Sequence, residues 1–164
     1  MRASARHAVL RAALLGLAAL TAAGAGLPDA STAATAVSAS TAVSVENAWV
    51  RMPPPGTDVA AAYFTVRNSG HTSAALVDVS SPVASETMLH ETRIVGGESR
   101  MRMLERLIIP AGGAVTLTPG AIHVMLAGLR KPLAVGQQVP LVLRFANGQQ
   151  IHVLARVRSP AAGE

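Results

Sequence analysis

From Val45 onward the chain is a succession of short apolar stretches cut by glycine, proline and asparagine. Val45 to Arg51, with Trp49, reads as a first strand. Met52-Pro53-Pro54-Pro55-Gly56 ends it, because proline cannot donate to a sheet ladder. Val59 to Val66 is small, aromatic and β-branched, which predicts a buried strand. Asn68-Ser69-Gly70 predicts a turn, and Ala74 to Val79 a third strand. After Pro82 comes a strand carrying Met88 and His90, closed by Gly96-Gly97. Arg100 to Leu104 alternates arginine with methionine, the period-2 signature of a half-exposed strand. Ile108-Ile109 is apolar and Pro110 to Gly113 turns. Val115 to Leu117 is short, and Pro119-Gly120 turns again. Ile122 to Leu126 then alternates isoleucine and valine against His123 and Met125. Gln137 to Phe145 and Gln150 to Val157 flank Asn147-Gly148, a strong hairpin pattern. No ten-residue window carries a helical stripe. Short strands recurring about every eight to twelve residues predict an all-β fold, a Greek-key β-sandwich.

The first 36 residues break this pattern. Arg2, Arg6 and Arg11 precede and enter an apolar run, and Ala23-Gly24-Ala25 and Ala34-Thr35-Ala36 both fit a small-residue cleavage site. The expectation is a cleaved signal peptide and flexible spacer over 1–36 and a domain over 37–164, placed in the periplasm. The alternative is a membrane anchor, but Ala12 to Leu27 falls short of the roughly 20 residues a span requires. No cysteine follows the apolar run, so a lipoprotein is not expected. Ser31 to Ser44 is low-complexity and expected to be mobile.

Charge narrows the function little. The formal +5 includes three leader arginines and Asp29, so from Val37 onward eleven cations against eight acids leave +3. That is too weak and too scattered for nucleic acid, and only Trp49, Tyr63, Phe64 and Phe145 are aromatic. The absence of cysteine excludes more. It removes disulfides, zinc–thiolate sites, iron–sulfur clusters and blue-copper centres together.

Three clusters then stand out: Met88 with His90, Met101 with Met103, and His123 with Met125. Residues i and i+2 of a strand share a face, so each strand would present its pair of donors on one side. Thioether and imidazole without thiolate or converging carboxylate suit a soft monovalent ion, above all Cu(I). Each residue also has a plainer reading. The plainer reading, secondary to the ligand reading, makes His90 and His123 surface strand histidines and Met101 and Met125 methionines filling core gaps. Ile122 and Val124 are the natural core face of their strand, opposite His123 and Met125. Arg100 and Arg102 leave the Met101 and Met103 face as the apparent core side, so a metal site there would lie at the rim of the sandwich. Met103 and Met88 read as packing or auxiliary donors, His152 as a surface histidine, and Met52 as packing. His71 sits in a turn, and Glu91 with Arg93 reads as a solvated strand face.

His90, ten residues, Met101, twenty-one residues, then His123-x-Met125 resembles the copper signature of the PCuAC family of periplasmic copper chaperones. Ala48-Trp49-Val50-Arg51, Ala61-Ala62-Tyr63-Phe64, Pro110-Ala111-Gly112-Gly113 and His123-Val124-Met125-Leu126 extend the likeness over about residues 45 to 158. The resemblance implies a cupredoxin-like β-sandwich that binds Cu(I) through His90, Met101, His123 and Met125. It also implies delivery of copper toward the CuA centre of cytochrome c oxidase, with Sco-type proteins and the oxidase copper subunit as partners. A single-domain monomer is expected. A periplasmic copper buffer or resistance protein, and a structural β-sandwich interaction domain without metal, are the alternatives. Enzymatic activity is not expected: there is no cysteine nucleophile, Gly-x-Ser-x-Gly elbow or phosphate-binding glycine loop. Asp78, Glu86 or Glu91 would have to meet His90 or His123 in the fold to supply an acid–base pair.

Overall fold

The computed structural model describes residues 42–159. The expected signal peptide lies outside the described residues, as does the spacer up to Thr41. Ten strands follow in order: β1 (Val43–Arg51), β2 (Ala60–Asn68), β3 (Ala74–Ser80), β4 (Ala84–Val95) and β5 (Glu98–Met103), then β6 (Leu107–Ile109), β7 (Ala114–Thr116), β8 (Ile122–Leu129), β9 (Gln138–Phe145) and β10 (Gln150–Arg158). There is no helix among the described residues. The hydrogen-bonded order is β5-β4-β8-β2-β1-β10-β9-β3-β6, with β7 beside β2. Folded on itself, this is the all-β sandwich that the strand spacing predicts.

Alternation determines which side chains are enclosed. Val139, Leu141, Leu143 and Phe145 of β9 are buried, as are Ala62, Phe64 and Val66 of β2 and Val124 and Leu126 of β8. The core is almost wholly aliphatic, with Phe64 and Phe145 its only buried phenylalanines. A residue of period 2 that is buried on one side leaves its neighbours facing outward, so β8 must present His123 and Met125 on its other face.

Several strand ends differ from the pattern-based expectation. β1 begins at Val43, inside the stretch expected to be mobile, because Val43 is buried and pairs with Asn68. β2 begins at Ala60 rather than Val59, which is 40 % exposed, and runs through Asn68. Asn68 is not a surface turn residue: its side chain is buried, with Nδ2 donating to the Thr72 carbonyl at 2.8 Å and Oδ1 accepting from the Gly70 amide at 3.0 Å. Midway along β1 the register with β2 shifts between Glu46 and Trp49, around Asn47 at φ 54°. Asparagine tolerates that left-handed conformation better than most residues. The bulge lets one strand pair with β2 along its length while Trp49–Arg51 also pairs with β10, in parallel.

Gly96 and Gly97 both have positive φ, which fits the two-residue turn joining β4 to β5. This ribbon projects past the core. Every residue of β5 is exposed, so the methionine face, which alternation with arginine alone would make the core side, is open to solvent as a site at the rim requires. Glu91 of β4 binds Arg93 at 2.9 Å and Arg102 at 2.7 Å across the ribbon, an ion-pair cluster where no second sheet covers the strands.

Candidate metal centre

The outer face of β5-β4-β8-β2-β1 carries the candidate donors in rows set by register. His90 pairs directly with His123 of β8 and with Met103 of β5. The two imidazoles meet edge to face with centroids 5.8 Å apart. One row along, Met88 pairs with Met125, which pairs in turn with Ala61 of β2. One row in the other direction, Met101 pairs with Thr92.

Met101 is therefore not the cross-strand partner of His90. In a flat sheet it would also lie two strand spacings, roughly 10 Å, from β8. Yet Met101 lines one open groove with His123, Met125, Tyr63 and Arg51. The β4–β5 ribbon must therefore leave the plane of a flat sheet toward the outer face, as the strong twist of two-stranded ribbons allows. His90 is not in that groove's lining; its link to the group is the ring contact with His123. The register thus brings His90, His123 and Met125 together directly, and ribbon twist adds Met101.

The two histidines differ in surroundings. His123 is 8 % exposed, and its Nδ1 lies 3.3 Å from the Ala121 carbonyl. A carbonyl only accepts, so this contact is a hydrogen bond when Nδ1 carries the proton, leaving the Nε2 lone pair free. His90 has a buried Nδ1 with no hydrogen-bond partner. Such an atom is uncommon in a folded protein, and a ligand is one way of satisfying it. Burial, and then the neighbouring His123, hold the His90 pKa below the usual 6.5, favouring the neutral, ligating form.

Among the described residues no acid joins this group. Glu91 follows His90 in the chain but faces the other way, its carboxylate held by Arg93 and Arg102, which lower its pKa. Asp78 is engaged by Arg144 at 2.8 Å. Among the described residues no three His, Cys, Asp or Glu side chains are grouped to hold a metal ion, so any metal centre here depends on thioethers.

Aromatic residues continue the row beyond β8. The Tyr63 ring centroid is 6.5 Å from that of His123 and 4.5 Å from that of Trp49, and the Arg158 guanidinium lies 5.4 Å over the Trp49 ring. Burial raises the Tyr63 pKa, partly offset by Arg51, so the phenol stays neutral. Strand reading assigned Tyr63 to a buried strand without linking it to the donors. The clue lay in period 2: with Phe64 in the core, Tyr63 must face outward. His152 is exposed on β10, His71 is exposed, and Met52 packs against the core.

A family model described as "Putative lipoprotein LpqE-like" matches residues 43–157. A protein of Leifsonia xyli subsp. xyli described as "Putative lipoprotein Lxx21020" is 38 % identical over 117 residues, 71 % of this chain and 69 % of that protein. Lipoprotein is a word of those names; the 164 residues here include no cysteine. The solved structure of CuI-DR1885 from Deinococcus radiodurans is 38 % identical, with a TM-score of 0.58 over 70 % of this chain and 76 % of that one. The copper-bound PCuAC domain from PmoF2 is 25 % identical, with a TM-score of 0.62 over 73 % and 94 %. With the fold, the family model and the relative in agreement, the chain belongs to the LpqE-like family and its domain is of the PCuAC type.

Proposed function

We propose that this protein is an exported Cu(I) carrier that holds the ion through His90, Met101, His123 and Met125 and passes it on without catalysing a reaction. The observation that carries this reading is the shared outer face of the donors, with His90 against His123 and Met101 in one groove with His123 and Met125. Two neutral imidazoles and two thioethers bring no charge, so hard divalent ions gain little from them, while a d¹⁰ Cu(I) ion accepts such a set. Copper-bound and CuI-bound relatives of the same fold support the metal.

The chemistry of release follows from the same donors. Neutral thioethers hold copper less tenaciously than thiolates, and an acceptor enters more readily where the ligands lie at the surface. Met101 is 57 % exposed, which suits stepwise ligand exchange. The proposed acceptor is the copper subunit of cytochrome c oxidase during CuA assembly, with Sco-type proteins as companions, in the periplasm or its equivalent.

Two experiments test this in turn. Competition with a chromophoric Cu(I) chelator should find one tightly held ion in the wild type and its loss in the His123→Ala, Met125→Ala double variant. No binding by either protein would leave a β-sandwich with a coincidental donor pattern. Deletion of the gene should then lower oxidase activity and CuA content at limiting copper. Normal oxidase with impaired copper tolerance would make the protein a copper buffer instead.

A further inference from the structure

Among the described residues Met52, Met88 and Met103 lie outside the four-donor set, and the register puts Met88 and Met103 next to His90. Met103 is directly opposite His90 across the β4–β5 ladder. Met88 lies two residues before His90 on the same face of β4. Met88 and Met103 line a common recess at the margin of β4, beside Val77–Val79 of β3. Met101 belongs instead to the groove of His123 and Met125. His90 lines neither hollow, but it is tied to both by its neighbours, Met103 opposite it on one side and the His123 ring against it on the other, and its buried Nδ1 has no hydrogen-bond partner. The outer recess lies at the end of the sheet, because β5 is the last strand in its order. Met103 is 65 % exposed, so packing does not account for it.

We propose that Met88, His90 and Met103 form a second Cu(I) position, an exit station that shares His90 with the inner set. The inference rests on the copper-carrier reading above. Copper moves outward by ligand exchange: the Met103 sulfur bonds to the ion as the Met101 sulfur leaves, then the Met88 sulfur replaces His123 and Met125. His90 keeps its bond throughout. No electron is transferred, copper stays in the +1 state, and no proton moves, because thioethers and neutral imidazole donate lone pairs only. An acceptor then meets the ion at the sheet margin and need not reach into the groove.

The test separates holding from handing over. Wild type, Met103→Leu and Met88→Leu/Met103→Leu are loaded with Cu(I) under anaerobic conditions and mixed with excess chromophoric chelator, and equilibrium affinity is measured beside the transfer rate. Leucine conserves volume, and Met103 is exposed, so these variants should fold. The expected result is transfer slowed by about tenfold in the double variant, with affinity weakened by no more than about threefold. Transfer as fast as in wild type overturns the exit station. Affinity lost as fully as in Met101→Leu also overturns it, by making Met103 an inner ligand. If wild type itself holds no Cu(I), the carrier reading fails and the station with it. Methyl NMR of 13C-methionine protein gives an independent readout. The Met88 and Met103 signals should shift and broaden on Cu(I) addition along with Met101 and Met125. Shifts confined to Met101 and Met125 overturn the station while leaving the carrier reading intact.

Discussion

β8 and β5 both present sulfur on the outer face, but they hold it differently. β8 lies inside the sheet between β4 and β2, and its inward residues Val124 and Leu126 are wholly buried. His123 is nearly enclosed and Met125 is half-buried. β5 is the terminal strand, exposed on both faces, with Met101 and Met103 on a projecting ribbon. The difference separates two tasks. A donor on β8 is fixed by the core beneath it, whereas a donor on β5 is positioned only by the twist of a two-stranded ribbon. For the proposed copper site, the first would be a preorganised half and the second a half accessible to an acceptor.

Substitutions on the two strands should therefore register in different measurements. Leu126→Ala removes a wholly buried side chain under the donors and should cost about 2–5 kcal/mol of stability in denaturant unfolding. The His123→Ala, Met125→Ala variant should lose about two orders of magnitude or more in Cu(I) affinity. Met101→Ala should lower affinity by about tenfold while changing stability by no more than about 0.5 kcal/mol, as an exposed side chain would. A melting temperature that falls as far as in Leu126→Ala would erase the contrast between the strands.

Protons sharpen it. The lowered His90 pKa means that the unfolded chain binds a proton before the folded one as pH falls below 6.5. Stability of the metal-free protein should therefore decline with acid in the window just below that value, following the linkage sign. Cu(I) affinity should hold down to the same region and then fall as protons compete for the imidazoles. Affinity unchanged between pH 5 and 8 would argue against imidazole ligation. The smallest effect should come from Glu91→Gln, which loosens the exposed ion pairs of the ribbon and should barely move the melting temperature.

Most strands were legible because their alternation is strict: Val139 to Phe145 and Ile122 to Leu126 admit only one inward face. The Asn147-Gly148 hairpin was legible from turn chemistry. The Met101 and Met103 face was not. Alternation with arginine says which side chains share a side, but whether a second sheet covers that side is a matter of tertiary placement. Cross-strand register was hidden for the same reason. The spacing of the four candidate donors marks Met101, whereas the ladder sets Met103 against His90, and only the pairing of β4 with β5 distinguishes them. The buried role of Asn68 also escaped, since its partners at Thr72 and Ile109 come from elsewhere in the fold.

The ends of the sheet carry one more consequence. An unpaired strand edge is a template on which another chain can add, and apolar edges invite aggregation. One end of this sheet is β6, three residues long and followed by Pro110, too short to recruit a strand. The other is β5, where exposed methionines would make an adhesive edge if they stood alone. Arg100 and Arg102 alternate with them, each in an exposed ion pair, with Glu98 at 3.3 Å and Glu91 at 2.7 Å, so a chain adding there would have to desolvate charged side chains beside the sulfur. The ribbon keeps its sulfur open to solvent while the charged side chains interleaved with it oppose strand-to-strand assembly.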